Sequence, residues 1–190
     1  MNRPATLLVL LLAGLFAGCG GGSRPTGIRA AETPADDVAE YQPRWRSHTV
    51  DSTQYRKVFL AGTIDMGRSA DWQAALVARF RDSIGGRWLF FNPRRREFHA
   101  SPAEMEYQVA WELAHLEAAD LIVMNLLGDS RSPISLLEMG LYARSGKLFV
   151  ACSPDYYRYD NVRITCRRYG VPLYDSLTAL LDDLPQQSDE

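Results

Sequence analysis

Three carboxylates in this chain have surroundings that could turn them to chemistry. Glu138 lies in SLLEMGLYARSGK (residues 135–147), where Leu136, Leu137, Met139 and Leu141 surround it and Gly140 removes a side chain close by. A helix that only covered a sheet would turn its acids to solvent. A carboxylate set among leucines is poorly hydrated, costly to bury and chemically primed. Glu112 shares a stripe at helical spacing with Gln108 and His115. Asp65 lies in GTIDMG (residues 62–67). Each has a plainer reading: a lone Glu in a helix can be structural, and the Gln108 stripe reads equally as a solvated helix face. Other chemistries lack their signatures. His48, His99 and His115 are scattered without paired ligand spacing. There is no G-x-G-x-x-G, no P-loop, and no Ser on a nucleophile elbow.

The ends of the chain set the compartment. Arg3 precedes an apolar run at residues 7–17, too short for a bilayer span of ~20 residues but of signal-peptide length. It ends in Phe16-Ala17-Gly18-Cys19, which resembles a bacterial lipoprotein lipobox. That resemblance implies cleavage before Cys19 and a lipid on its thiol; the alternative is an ordinary secretory signal. No Asp follows Cys19, so the outer membrane is the favoured destination. Residues 20–57 carry Gly20, Gly21, Gly22, Pro25, Pro34 and Pro43 with no sustained apolar period. They read as a flexible tether spanning roughly 30–35 Å, with Tyr41 and Trp45 able to dock on the domain. The expected division is a signal at 1–18, a lipid-anchored tether at 19–57 and one domain at 58–190. Composition fits a single core, with 46% hydrophobic and 23% charged residues. A net charge of −2 leaves no footprint for a nucleic-acid polymer, and Arg94, Arg95 and Arg96 read as a solvated loop. In an oxidising compartment Cys152 and Cys166 could pair or remain two buried thiols.

The elements that must position the carboxylates alternate in type. Apolar strands are expected at 58–61, 88–91, 121–127, 148–151 and, weakly, 171–174. Helices are expected from Asp71, where Trp72, Leu76 and Phe80 recur; from Ser101-Pro102, with Met105, Val109, Leu113 and Leu116 on one face; from Ser132-Pro133; around 161–169; and at 176–184. Alternation means parallel βαβ units. The predicted fold is an α/β, doubly wound, flavodoxin-like or Rossmann-like domain with a five-stranded parallel sheet ordered 2-1-3-4-5. Its crevice gathers residues 62–67, 125–132 and 152–157.

VFLAGTIDMG, the WE…L..AD block at 111–120 and SLLEMGLYARSGK together resemble the nucleoside 2-deoxyribosyltransferase-like proteins, over about 58–173. The resemblance implies that Glu138 is the nucleophile and that Glu112 handles the leaving base, where the transferases have Asp. Asp65 joins them as a catalytic residue. Substrate contacts are expected from Gly62, Thr63, Ile64, Gln108, Asn125, Ser132 and Ser135. Ser132 stands where a loop Asp is typical, with Asp129 three residues earlier. A carboxylate attacking an anomeric carbon needs no metal and no cofactor. The expected function is N-glycosidic cleavage or (deoxy)ribosyl transfer. The alternatives are a nucleoside monophosphate N-glycosidase, with Ser130, Arg131 and Ser132 at a helix N-terminus for phosphate, and a surface binding module without turnover. The partners expected are a small nucleoside or nucleotide and a membrane reached through the lipid, with a homo-oligomer left open.

Overall fold

The structure, a computed structural model, describes residues 38–184 apart from 85, 98 and 100. The signal, Cys19 and the tether up to residue 37 lie outside the described residues, as does the tail from 185. The strands are β1 (Val38–Gln42), β2 (Trp45–Arg46), β3 (Arg56–Gly62), β4 (Trp88–Phe91), β5 (Leu121–Leu126), β6 (Leu148–Cys152) and β7 (Leu173–Tyr174). The helices are α1 (Trp72–Arg79), continued by a π-helical turn at Phe80–Ile84, α2 (Pro102–Ala118), α3 (Pro133–Tyr142), α4 (Tyr159–Tyr169) and α5 (Leu177–Asp183). No helix among the described residues is long and apolar enough to cross a membrane.

The sheet has seven strands, not five, in the order β2-β1-β4-β3-β5-β6-β7, parallel throughout except for β2. The five expected strands stand together as β4-β3-β5-β6-β7. The two additional ones come from residues read as tether. β1 lies parallel on β4 with Val38 opposite Trp88, and it buries Val38, Ala39 and Tyr41. Its Glu40 accepts from Asn92 Nδ2 at 2.7 Å. Five residues between acids and a proline show no period, so only the exposed edge of β4 makes them a strand.

Side chains alternate across the central strands and divide the interior into two layers. Phe59, Ala61, Ile122, Met124, Val150 and Cys152 join the α2, α3 and α4 side. Val58, Leu60, Val123, Phe149 and Ala151 join the α1 and α5 side. There α1 packs as its period predicts: Trp72, Leu76 and Val77 are buried, and the Phe80 ring lies edge-on to Trp88 at 4.8 Å and Phe90 at 5.0 Å.

α2 does not pack as predicted. Ser101 caps it by accepting from Glu104 N, and Pro102 opens it. Of its expected apolar face only Leu116 is buried; Met105, Val109 and Leu113 are exposed. The helix is rolled so that Gln108, Glu112 and His115 turn inward. His115 is held by packing: its ring stacks on Trp111 at 4.0 Å, meets Phe91 edge-on at 4.5 Å, and donates from Nδ1 to the Trp111 carbonyl.

Candidate active site

The site begins where β3 and β5 run closest. Gly62 has φ +124°, and a Cβ there would lie 2.2 Å from the Asn125 carbonyl oxygen, so no larger residue fits. That approach lets Thr63 N donate to Asn125 O at 2.9 Å and buries both residues. The Thr63 carbonyl is then taken by Trp72 Nε1 at 2.8 Å, which ties the loop to α1. The Ile64 carbonyl accepts from Gly67 N and Ser69 Oγ and folds the loop back. Asp65 and Met66 follow at φ 50° and 55°, a left-handed pair that costs roughly 1 kcal/mol or more per residue.

A hydroxyl chain crosses from this loop to the start of α3. Thr63 Oγ1 lies 2.8 Å from Ser132 Oγ, Ser132 Oγ 2.7 Å from Ser130 Oγ, and Ser130 Oγ donates to Asp65 Oδ1 at 2.9 Å. An ionised carboxylate only accepts and each hydroxyl has one proton, so donation runs Thr63, Ser132, Ser130, Asp65. Thr63 Oγ1 accepts in turn from Leu127 N at 3.1 Å. Ser132 therefore stands at the start of α3 without capping it by its side chain. It sits at φ 39° and makes no cap bond. From the other side Tyr156 Oη donates to the Arg131 carbonyl at 2.6 Å. The loop at 128–132 is pinned at both flanks.

That loop sets the first turn of α3, which buries Ser135, Glu138 and Met139 on one face. Glu138 is 8% exposed. Burial, and then repulsion from Glu112, push its carboxyl up from 4.5 to about 8. Glu112 is raised too, chiefly by burial, but Gln108 and Arg95 oppose the rise. Gln108 Nε2 donates to Glu112 Oε1 at 2.5 Å and to the Pro93 carbonyl at 3.1 Å, while Arg95 Nε donates to Gln108 Oε1. Burial and the Glu112 charge thus favour the protonated form of Glu138, while Gln108 and Arg95 favour the charged form of Glu112. In the free protein the supported member is Glu112, so the proton rests on Glu138.

The arginines correct the sequence reading. Arg94 and Arg95 are buried at the carboxyl end of β4. Arg94 donates to Gln73 Oε1, Ser69 Oγ and the Ala70 carbonyl, and so clamps the loop that carries Asp65. Arg95 also reaches the Glu104 carbonyl at 2.7 Å. Arg96 alone is exposed, with its guanidinium over the Trp45 ring. Triplet composition hid these roles. Position could have shown them, since Asn92-Pro93 ends a strand at the crevice side of a parallel sheet.

Glu138 and Glu112 thus lie near enough to repel each other, with Gln108 hydrogen-bonded to Glu112 and Ser135 on the face of α3 that carries Glu138. Gly62, Thr63, Ile64, Asn125, Ser132 and Asp65 build the neighbouring loop wall. A model of the family described as nucleoside 2-deoxyribosyltransferase like matches residues 55–156, more than half of the chain. The chain belongs to that family. Its members are linked to glycosyl transfer on small nucleosides. None of the curated proteins matches the chain. A crystal structure of a conserved protein from Enterococcus faecalis V583 is similar at 14% identity and a TM-score of 0.49, over 70% of this chain and 99% of that one.

The matched stretch spans β3 to Tyr156 and includes Asp65, Glu112 and Glu138. Cys152, inside it at the end of β6, and Cys166, beyond it on α4, are free, buried thiols. Burial pushes the Cys152 thiol up to about 12 and Cys166 to about 11, so neither is a nucleophile at neutral pH. Among the described residues no group of three or more His, Cys, Asp or Glu side chains is placed to hold a metal ion.

Proposed function

We propose that this protein cleaves or transfers the N-glycosidic bond of nucleosides, with Glu138 as nucleophile and Glu112 as the acid for the leaving base. The observation that carries the reading is the buried pair itself, two repelling carboxylates of which one is hydrogen-bonded and the other is not. On substrate binding the proton on Glu138 passes to Glu112. Glu138 attacks the anomeric carbon as the bond to the base breaks, and the base nitrogen takes the proton from Glu112. A water or a second base then attacks the same carbon, releases Glu138 and returns a proton to Glu112. Two displacements give retention. Asp65 fixes the wall through Ser130 and Ser132.

The monophosphate variant draws less support. The Ser130 and Ser132 hydroxyls are committed to the chain ending on Asp65, whose carboxylate would repel a phosphate. Turnover separates the readings: wild type supplied with a 2′-deoxynucleoside and a second free base, then with a monophosphate. Exchange or release of base from the nucleoside, with a 2-fluoro sugar trapped on Glu138, supports the proposal. No turnover of either substrate leaves a binding module.

The same proposal places the enzyme outside the cytosol, with residues 1–18 as signal and Cys19 lipidated at a bacterial membrane. Support comes from the apolar run, the small residues before Cys19 and the Gly-rich stretch after it. Cys19→Ser should block processing or release the protein from the membrane fraction. Unprocessed wild type in the cytosol would remove this part.

A further inference from the structure

We infer that Arg44, Glu104 and Arg95 are positioning residues for Glu112, a relay of alternating charge that begins in the β1–β2 hairpin and fixes which way the Gln108 amide faces. With Glu112 as the acid for the leaving base, the reading on which this rests, the relay sets how firmly that acid holds its proton. The hairpin precedes the family match at 55–156, so the relay brings to the site a part of the chain that the family model does not cover.

Arg95 can only donate. Its Nε donates to Gln108 Oε1, so the amide oxygen faces Arg95 and the amide nitrogen faces away, where it donates to Glu112 Oε1 and the Pro93 carbonyl. Turned over, the amide would set its oxygen against the carboxylate, acceptor to acceptor. Arg95 forbids that turn only while its own guanidinium is held. Glu104 holds it twice, accepting from Nη1 at its carboxylate at 3.2 Å and from Nη2 at its carbonyl at 2.7 Å.

Glu104 is held in turn from the hairpin. Arg44 Nη2 donates to Glu104 Oε1 at 2.7 Å. Arg44 sits at the hairpin turn with φ 62°, and its guanidinium lies over the Tyr107 ring at 4.1 Å. The hydrogen bond from Arg44, with the charges of Arg95 and His99 behind it, lowers the Glu104 carboxyl and keeps it charged. The hairpin also grips the loop after β4. Asn92 N donates to the Tyr41 carbonyl at 2.9 Å, Asn92 Nδ2 donates to Glu40, and the Arg96 guanidinium lies over Trp45. The charged groups that act on Glu112 are Arg95 from this loop and Glu138 from α3. His115, one turn later on α2, is lowered by burial and carries no charge at neutral pH. Of these groups only Arg95 favours the charged form of Glu112.

The test follows the Glu112 carboxyl itself, by carbon-13 NMR of the full chain held in detergent, without substrate; Glu112→Gln assigns the signal. Arg95→Met, Glu104→Gln and Arg44→Ala should each move the Glu112 titration to higher pH. The effect should shrink in that order, because the side chains are 9%, 25% and 60% exposed and solvent screens the outermost pair most. Arg44→Lys keeps the charge and should titrate close to wild type. In a Gln108→Leu background Arg44→Ala should move nothing further. With a nucleoside substrate, Glu104→Gln and Arg44→Ala should displace the pH profile of kcat and lower kcat about two- to fivefold, with KM unchanged. Circular dichroism melts verify that the variants fold. A Glu112 titration that stays in place in Glu104→Gln or Arg44→Ala, whatever the melts show, makes the relay structural and overturns the inference. So does a shift in Arg44→Ala that persists without Gln108, because the hairpin then acts by another route. A displaced titration in a protein without turnover keeps the relay and removes only the catalytic reading.

Discussion

α1 and α2 carry the same kind of pattern and use it in opposite ways. Trp72, Leu76 and Phe80 recur every four residues and are all buried, whereas Met105, Val109 and Leu113 recur equally well and are all exposed. The difference lies in what each helix faces. α1 lays this stripe on an apolar sheet layer and meets its polar neighbours from its first turn, where Gln73 accepts from Arg94 and Trp72 Nε1 donates to the Thr63 carbonyl. α2 meets Arg95, whose side chain is almost fully buried and hydrogen-bonds Gln108. Leaving Val109 or Leu113 half exposed forgoes roughly 1 kcal/mol each. Stranding a buried guanidinium or carboxylate without partners costs several. The polar stripe wins the inward position. Periodicity tells that a helix has two faces, and the most demanding neighbour decides which one turns in.

If the inward polar faces of α2 and α3 serve chemistry, mutations there should cost activity and not stability, while those in α1 do the reverse. The largest effect is expected from Glu138→Gln, a loss of about 1,000-fold or more in kcat/KM, equivalent to ~4 kcal/mol. Steady-state base exchange measures it, and activity within tenfold of wild type would break the comparison at its strongest point.

The same substitution should change stability in the other direction. The folded chain holds a proton on Glu138 up to about pH 8, where the unfolded chain releases it near 4.5. The unfolded state therefore binds fewer protons between those values. Wild-type stability is greatest below pH 4.5 with respect to this group and falls as pH rises to about 8, by roughly 4–5 kcal/mol. Glu138→Gln removes that slope. Urea unfolding at pH 5 and pH 9 should show the variant gaining on wild type at the higher pH, and equal slopes would mean the carboxyl is solvated.

Leu76→Ala in α1 should cost about 3 kcal/mol, as a fully buried leucine does. Leu113→Ala in α2 should cost under about 1 kcal/mol. Urea denaturation compares them, and a Leu113 cost near that of Leu76 would restore the face that the period predicts.

The smallest effect sharpens the comparison within α2. Gln108→Leu removes the hydrogen bond that opposes the rise in the Glu112 carboxyl. The proton then rests more readily on Glu112, and the pH profile of kcat should move while kcat itself falls about tenfold. An unmoved profile would reduce Gln108 to a spacer.

Much of this was legible in the residues. The five central strands are short apolar runs closed by Gly, Asn-Pro or polar loops, and their order follows from parallel connections. Glu138 was legible as a carboxylate in an apolar helix, but the neighbours that made it stand out were the wrong ones: Leu137 and Leu141 are exposed, and Glu138 shares its buried face with Ser135 and Met139. β1 was not legible, since its five residues become a strand only against the edge of β4. Arg94 and Arg95 were hidden by their own charge: a basic triplet reads as solvated until Gln73, the loop at 69–70 and Gln108 are seen to fold over it.

The sequence by itself determined the layers, because alternating and four-residue periods follow from local backbone geometry wherever the chain goes. It also determined that Glu138 would be poorly hydrated, whereas the close approach of Gly62 to Asn125 appeared only in the fold. Only the tertiary structure decided the roll of α2, the pairing of Glu138 with Glu112, and the hydroxyl chain from Thr63 to Asp65. Those depend on residues tens of positions apart meeting in a place with little water. There a single hydrogen bond, such as that of Gln108, decides which of two identical acids keeps the proton.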